Sequence, residues 1–124
     1  MKILIPKNVD FEYEKCYKLY KINQRLINDN ASFNDVIQNT FFYSFYNDQE
    51  LIGCIYLYYI NNKLFFNGFA KRKCFFLKIQ AVKTIFEWFN CDIYAESIQK
   101  PAILLLLRCG FKKINKNLYV HYNG

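Results

Sequence analysis

The spacing of apolar residues changes several times along the chain, and each change predicts an element. Lys2–Ile5 is a short β-rich run stopped by Pro6, which has no N–H to offer a ladder, so a first strand is expected there. Beyond Asp10, residues Tyr13, Cys16, Tyr17, Tyr20 and Ile27 fall on one face of an amphipathic helix. Asp10 is placed to cap it, and Glu12 and Glu14 sit near its positive end. Ser32 followed by Asp35 resembles a capping box and predicts a second, short helix through Gln38.

From Phe41 the period becomes two. Three β-rich runs, Phe41–Tyr46, Leu51–Ile60 and Leu64–Phe69, are separated by Asn47–Glu50 and by Asn61-Asn62. Asn and Asp tolerate the positive φ of tight hairpin turns, so these runs predict a three-stranded antiparallel meander. After Ala70–Lys73 the helical step returns, with Phe75, Ile79, Val82, Phe86 and Phe89 on one side and Lys78, Lys83 and Glu87 outside. Cys91–Glu96 reads as a strand. Lys100-Pro101 opens a last helix, because proline suits the first helical position, and Gly110 fits the left-handed residue that ends it. Arg108 complements that helix's negative end. The aliphatic run Ile103–Leu107 predicts a helix buried on most sides, and Phe111–Ile114 with Leu118–His121 a closing hairpin. The order is β-α-α-β-β-β-α-β-α-β-β. It implies an α+β, three-layer architecture in a single domain, residues 1–124, with a mixed, mainly antiparallel sheet and helices on its faces.

With 124 residues, 53% of them hydrophobic and 22% charged, the chain has enough apolar surface for one core. The formal charge of +7 predicts an anionic partner, whether RNA, an acidic protein or a phosphate-rich cofactor, or else only solubility, and it argues against a polycationic small substrate. Aromatic residues reach 20%, a share that A/T-rich coding also explains, so it carries little functional weight. Tyr56, Tyr58 and Tyr59 suit sheet faces; stacking on bases is the other reading, but no RNA-binding motif accompanies them. Five cysteines without a C-x-x-C pair argue for a reduced, cytoplasmic setting, with Cys54 and Cys91 as buried thiols. One histidine, His121, expected on a surface strand, and no cluster of ligands leave no metal site in view. Trp88 is expected in the core or at its rim. No apolar run approaches the roughly 20 residues of a membrane helix, and the opening MKILIPKNVD is too short in its apolar part for a signal peptide.

The element order and two local pieces resemble the GCN5-related N-acetyltransferase (GNAT) family. NDQELIGCIYLYY, residues 47–59, looks like the family's second hairpin, where a turn leads through an apolar-Gly step into a long strand. AILLLLRCGF, residues 102–111, is similar to its closing helix, where a basic residue and Gly-Phe precede the last hairpin. The likeness covers about Phe41–Tyr122. It implies an acetyl-CoA donor and transfer of the acetyl group to an amine. It also implies that the strand Leu64–Phe69 splays away from Cys91–Glu96 to admit pantetheine, and that the next helix offers its N-terminus to the pyrophosphate.

Carried onto this chain, the resemblance places the cofactor at Phe69, Ala70, Lys71, Arg72, Lys73, Cys74, Phe75 and Gln99. The family's cradle reads Q/R-x-x-G-x-G/A, whereas Lys71–Phe76 here, KRKCFF, has no glycine. Gln99 stands where an Asn is frequent, and Leu106 where a Tyr acid is frequent. Proton transfer then falls to Glu96 or Tyr94, and a backbone N–H near Phe69 would polarise the carbonyl. Each of these residues also has a plainer reading: a solvated loop for Lys71–Lys73, an exposed strand end for Glu96, a half-buried sheet residue for Tyr94. The function expected is a small cytoplasmic acetyltransferase using acetyl-CoA on an amine, with a protein acceptor or partner of acidic surface. Two alternatives stand beside it. One is a catalytically silent GNAT-fold binding protein, such as a phage-encoded inhibitor or structural component. The other is a relative acting on aminoacyl-tRNA.

Overall fold

The computed structural model describes residues 4–7, 11–24 and 32–123. Its elements follow the expected order: β1 (Leu4–Pro6), α1 (Tyr13–Asn23), α2 (Phe33–Asn39), β2 (Phe41–Asn47), β3 (Glu50–Ile60), β4 (Lys63–Ala70), α3 (Phe75–Trp88), β5 (Ile93–Glu96), α4 (Lys100–Arg108), β6 (Lys112–Lys113) and β7 (Leu118–His121). They form one seven-stranded sheet in the order β1-β2-β3-β4-β5-β7-β6. Among the described residues only β4 and β5 pair in parallel, with α3 as the crossover between them. The sheet separates two apolar clusters. Cys16, Leu19 and Tyr20 of α1 and Phe33 and Val36 of α2 cover one face, packed on Phe42, Cys54, Tyr56 and Phe69. Ala81, Val82 and Ile85 of α3 and Leu106 of α4 cover the other, packed on Ile55, Leu57, Leu64 and Ile93. Among the described residues no helix is long and apolar enough to cross a membrane.

The local chemistry of the meander is as its residues require. Asn61 and Asn62 both take positive φ, 51° and 64°, in the two-residue turn between β3 and β4. A bulge interrupts the β2–β3 ladder: Phe45 pairs with Gly53 and Tyr46 with Leu51, leaving Ile52 as the extra residue. The inward alternation shifts there, so Leu51 joins the α1–α2 cluster while Ile52 joins the other. Gly53 faces the bend. A Cβ on it would lie 2.6 Å from Phe45 Cζ and 2.8 Å from Ala70 Cβ.

Several expectations are corrected. The α1 helix begins at Tyr13 with Glu12 at its cap; Asp10, Ile27 and the first two residues of the Lys2–Ile5 strand lie outside the described residues. Leu19 takes a place in the buried stripe, while Tyr13 and Tyr17 lie at its edge against Phe33. The α4 helix is not enclosed. A nine-residue helix lying on one sheet face covers a single stripe, so Leu106 is buried while Leu104 is 52% and Leu107 50% exposed. Cys54 is buried as expected, but Cys91 is half-buried ahead of β5. Trp88 lies at the rim, against Tyr43.

His121 is half-buried rather than on the open surface. Its ring stacks on Phe86 with centroids 3.6 Å apart and planes within 4°. Burial there lowers its pKa below the ordinary 6.5.

Two outcomes follow from this packing. Gly53→Ala pushes against the Phe45 ring and the Ala70 methyl, and urea unfolding should show a loss of about 1–3 kcal/mol. The folded His121 resists protonation, so its contribution to stability is intact above the unfolded pKa of about 6.5. It falls as pH drops through that value, and the loss is complete below the folded pKa. Denaturation midpoints measured from pH 7.5 to 5 should decline in the native protein and decline less in His121→Phe.

Candidate active site

The parallel contact between β4 and β5 is only two residue pairs long, Leu64 with Ile93 and Phe65 with Tyr94. Beyond it β5 continues along β7, Ala95 facing Tyr119 and Glu96 facing Leu118. β4 continues along β3, from Phe66 facing Leu57 to Ala70 facing Gly53. The two strands therefore diverge, and among the described residues no strand pairs with the outer edge of Phe66–Ala70. The seam before the divergence is held by the buried pair Leu64 and Ile93 on one face. On the other, a row of rings crosses the sheet: Tyr56 with Tyr58, Tyr58 with Phe65, and Phe65 with Tyr94, at centroid separations of 6.1, 6.1 and 5.7 Å.

Strand alternation decides which backbone groups the open edge presents. The Lys71 N–H donates to the Ile52 carbonyl at 2.8 Å, so odd-numbered N–H groups of this strand, that of Phe69 included, turn toward β3. The N–H groups of Gly68 and Ala70 turn toward the gap. Gly68's donates to its neighbour's side chain, Asn67 Oδ1, at 2.7 Å. Ala70's is left at the open edge. The Phe69 ring is buried among Tyr20, Phe42 and Tyr56, so Phe69 serves the core, and the neighbouring N–H that turns toward the gap is that of Ala70.

Past Ala70 the chain turns into α3. Cys74 caps that helix in the left-handed conformation, φ 59° and ψ 50°. It stands where the cradle pattern has its first glycine, and it keeps the backbone path that glycine adopts easily. No side chain caps the helix, and the Lys78 N–H closes the first turn onto the Cys74 carbonyl at 3.1 Å. The N–H groups of Phe75, Phe76 and Leu77 are thus free of intrahelical partners. Phe75 is half-buried and Phe76 is 78% exposed, so the Phe76 ring does not plug the gap. Arg72 is exposed and has no ion pair among the described residues. Lys71 and Lys73 both reach Glu50, with Nζ 2.9 Å from Oε2 and 2.7 Å from Oε1. These contacts, led by Lys73, hold the Glu50 carboxyl below its ordinary pKa, and Glu50 in turn raises that of Lys73. Gln99 caps α4 by its backbone, its carbonyl accepting from Ile103 N–H at 2.9 Å, and its side chain makes no cap bond.

On the α2 side of the sheet a cleft of about 390 Å³ opens beside the divergence, lined by Asp35, Val36, Asn39, Thr40, Tyr56, Tyr58, Ile60, Phe66, Asn67 and Glu96. Glu96 thus enters the site from the end of β5. Tyr94 does not line this cleft; it is half-buried between Phe65 and Lys63, whose Nζ lies 5.2 Å from its ring centre. Asp35, Asn67 and Thr40 are new to the site. Asp35 was legible as part of a capping pair, which it is, since its N–H donates to Ser32 Oγ at 3.2 Å. Its second role, in the lining of the same cleft as Glu96, depends on how α2 lies on the sheet. Among the described residues no cluster of side chains is arranged to hold a metal ion.

No protein-family model matches the sequence, and no curated protein matches it. Solved structures do. An N-acetyltransferase from Staphylococcus aureus Mu50 superposes with a TM-score of 0.77 over 97% of this chain and 96% of its own, at 9% identity. A probable acetyltransferase from Staphylococcus epidermidis ATCC 12228 gives 0.75 over 98% of each chain, at 14% identity. The ribosomal-protein-S5-alanine acetyltransferase from Vibrio fischeri gives 0.66 over 99% of this chain and 94% of its own, at 12% identity. The chain therefore has the fold of the GNAT acetyltransferases.

Leu106, at the position where a tyrosine acid is frequent, is buried against α3 and the sheet and has a packing role alone. Leu106→Ala should cost about 2–5 kcal/mol in chemical denaturation. Leu106→Met, which keeps the volume, should leave stability within about 1.5 kcal/mol of the native protein.

Proposed function

We propose that this protein is an acetyl-CoA-dependent N-acetyltransferase acting on a cationic amine. The observation that carries the reading is the divergence of β4 from β5 immediately after Phe65 and Tyr94. An edge of this kind accepts an extended chain as an added strand, through backbone hydrogen bonds. The residues present fit the donor: an open N–H at Ala70, a helix start with three unpaired N–H groups, and the exposed guanidinium of Arg72 beside them. When bound, acetyl-CoA supplies the activated acyl group and a thiol leaving group.

The chain's own residues supply the rest. Ala70's N–H is available to a carbonyl oxygen that gains charge during acyl transfer, and a donor already fixed in place needs no reorganisation. The cleft's polarity selects the acceptor. Although the chain carries +7, its lining among the described residues has two carboxylates, Asp35 and Glu96, and no Lys or Arg. An ammonium group is drawn in by that lining and by the aromatic wall of Tyr56, Tyr58 and Phe66. This reverses the inference from net charge, which favoured an acceptor of acidic surface. Glu96, at the strand end that borders the gap, is the group placed to take the proton the amine must lose before attack. Asp35 balances the remaining positive charge. Positioning by the cleft lets modest acid–base help suffice.

At about a hundredfold over its dissociation constant, acetyl-CoA should stabilise the fold by about 2.7 kcal/mol, read as a rise of several degrees in melting temperature. Arg72→Glu should remove the rise. Glu96→Gln should retain it while slowing thiol release in the presence of amine by about a hundredfold or more. An unchanged melt at millimolar acetyl-CoA would end this reading.

A further inference from the structure

Three cations stand in the Lys71–Lys73 run, and only Arg72 faces solvent without a partner among the described residues. Lys71 and Lys73, on either side of it, converge on one carboxylate, Glu50 at the start of β3, each on its own oxygen. The turn that carries Glu50 lies against the head of α3: Asn47 Nδ2 is 3.8 Å from Cys74 Sγ. Glu50 is thus an anion seated on two cations beside a helix start whose own N–H groups have no intrahelical partner.

We propose that Glu50 competes with the phosphate groups of the nucleotide ligand for Lys71 and Lys73, holding both in the free protein and thereby setting the affinity of the α3 start for anions. The proposal rests on the α3 start being the phosphate site. The exchange it requires is feasible because all three side chains are partly exposed, 39–51% by side chain, so breaking their ion pairs costs little. A phosphate that takes the lysines also meets the displaced carboxylate at short range, a like-charge repulsion that weakens binding. Arg72 makes the first contact, and the lysines follow only as far as Glu50 releases them. The residue therefore tunes cofactor affinity without touching the acyl group or the amine.

Calorimetric titration of coenzyme A and of inorganic pyrophosphate into the native protein, Glu50→Gln and the triple variant Glu50→Gln/Lys71→Gln/Lys73→Gln tests this. Glu50→Gln should bind coenzyme A about five- to tenfold more tightly, with a steeper loss of affinity on adding salt, and the triple variant should lose the gain. Equal or weaker binding by Glu50→Gln would overturn the proposal and make Glu50 a positioning residue for the lysines, while leaving the acetyl-CoA reading intact. If coenzyme A binds neither native protein nor Glu50→Gln, that reading fails. Pyrophosphate then decides the role of Glu50 by amide shifts at Phe75–Leu77: stronger shifts in Glu50→Gln support it, and none overturn it. Glu50→Ala, compared with Glu50→Gln in ligand-free melts, separates an anion effect from a local unfolding of the turn.

Discussion

The structure depends on a seam two residues long. Leu64 with Ile93 and Phe65 with Tyr94 are the in-plane joint between the four antiparallel strands β1–β4 and the β5-β7-β6 unit. A longer seam would pair the outer edge of Phe66–Ala70 and leave no open backbone. Without a seam, the crossover helix α3 would have no parallel pair to span. Both faces hold the joint at this length. Aliphatic side chains fix it from the α3–α4 side, and the row of rings from Tyr56 to Tyr94 fixes it from the α1–α2 side. After Tyr94, β5 gives its remaining residues to β7, and β4 stays with β3 because Gly53 lets Ala70 approach.

Charge is distributed with the same economy of position. In a strongly basic chain, the charged side chains that line the cleft among the described residues are two carboxylates, one from α2 and one from the end of β5. Its basic run stands on the other side of the gap, at the head of α3, and two of its three cations are already engaged. Net charge alone is a poor guide to what such a molecule binds, because the two ends of one gap have opposite polarity.

Much of this fold was legible in the sequence. The three hairpin runs, the Asn61-Asn62 turn and the Ser32–Asp35 cap follow from local periodicity and turn chemistry, which need no knowledge of partners. What failed was the side each element shows to the rest. The Ile103–Leu107 run looks buried all round because composition does not say how many neighbours a helix has. His121 looked like an exposed strand residue because nothing local announces Phe86 beneath it. The site was half legible for the same reason. Lys71–Lys73 and Glu96 stand out as charges after or within apolar runs, whereas the Glu50 contacts join residues 21 and 23 positions apart. Asp35 comes to line the same cleft as Glu96 only through the packing of α2.

Cys74 bears on how such a chain is recognised. A left-handed residue at the head of a helix is a requirement of the backbone, and glycine is only its easiest tenant; a residue with a Cβ can hold the place at a cost of roughly 1–2 kcal/mol. Here a thiol-bearing residue holds it at φ 59°, and the turn is kept while the letter that usually marks it is gone. A turn of this kind is a matter of chain path rather than of one residue type, and it is as a chain path, at 9–14% identity, that this protein matches solved acetyltransferases along nearly their whole length.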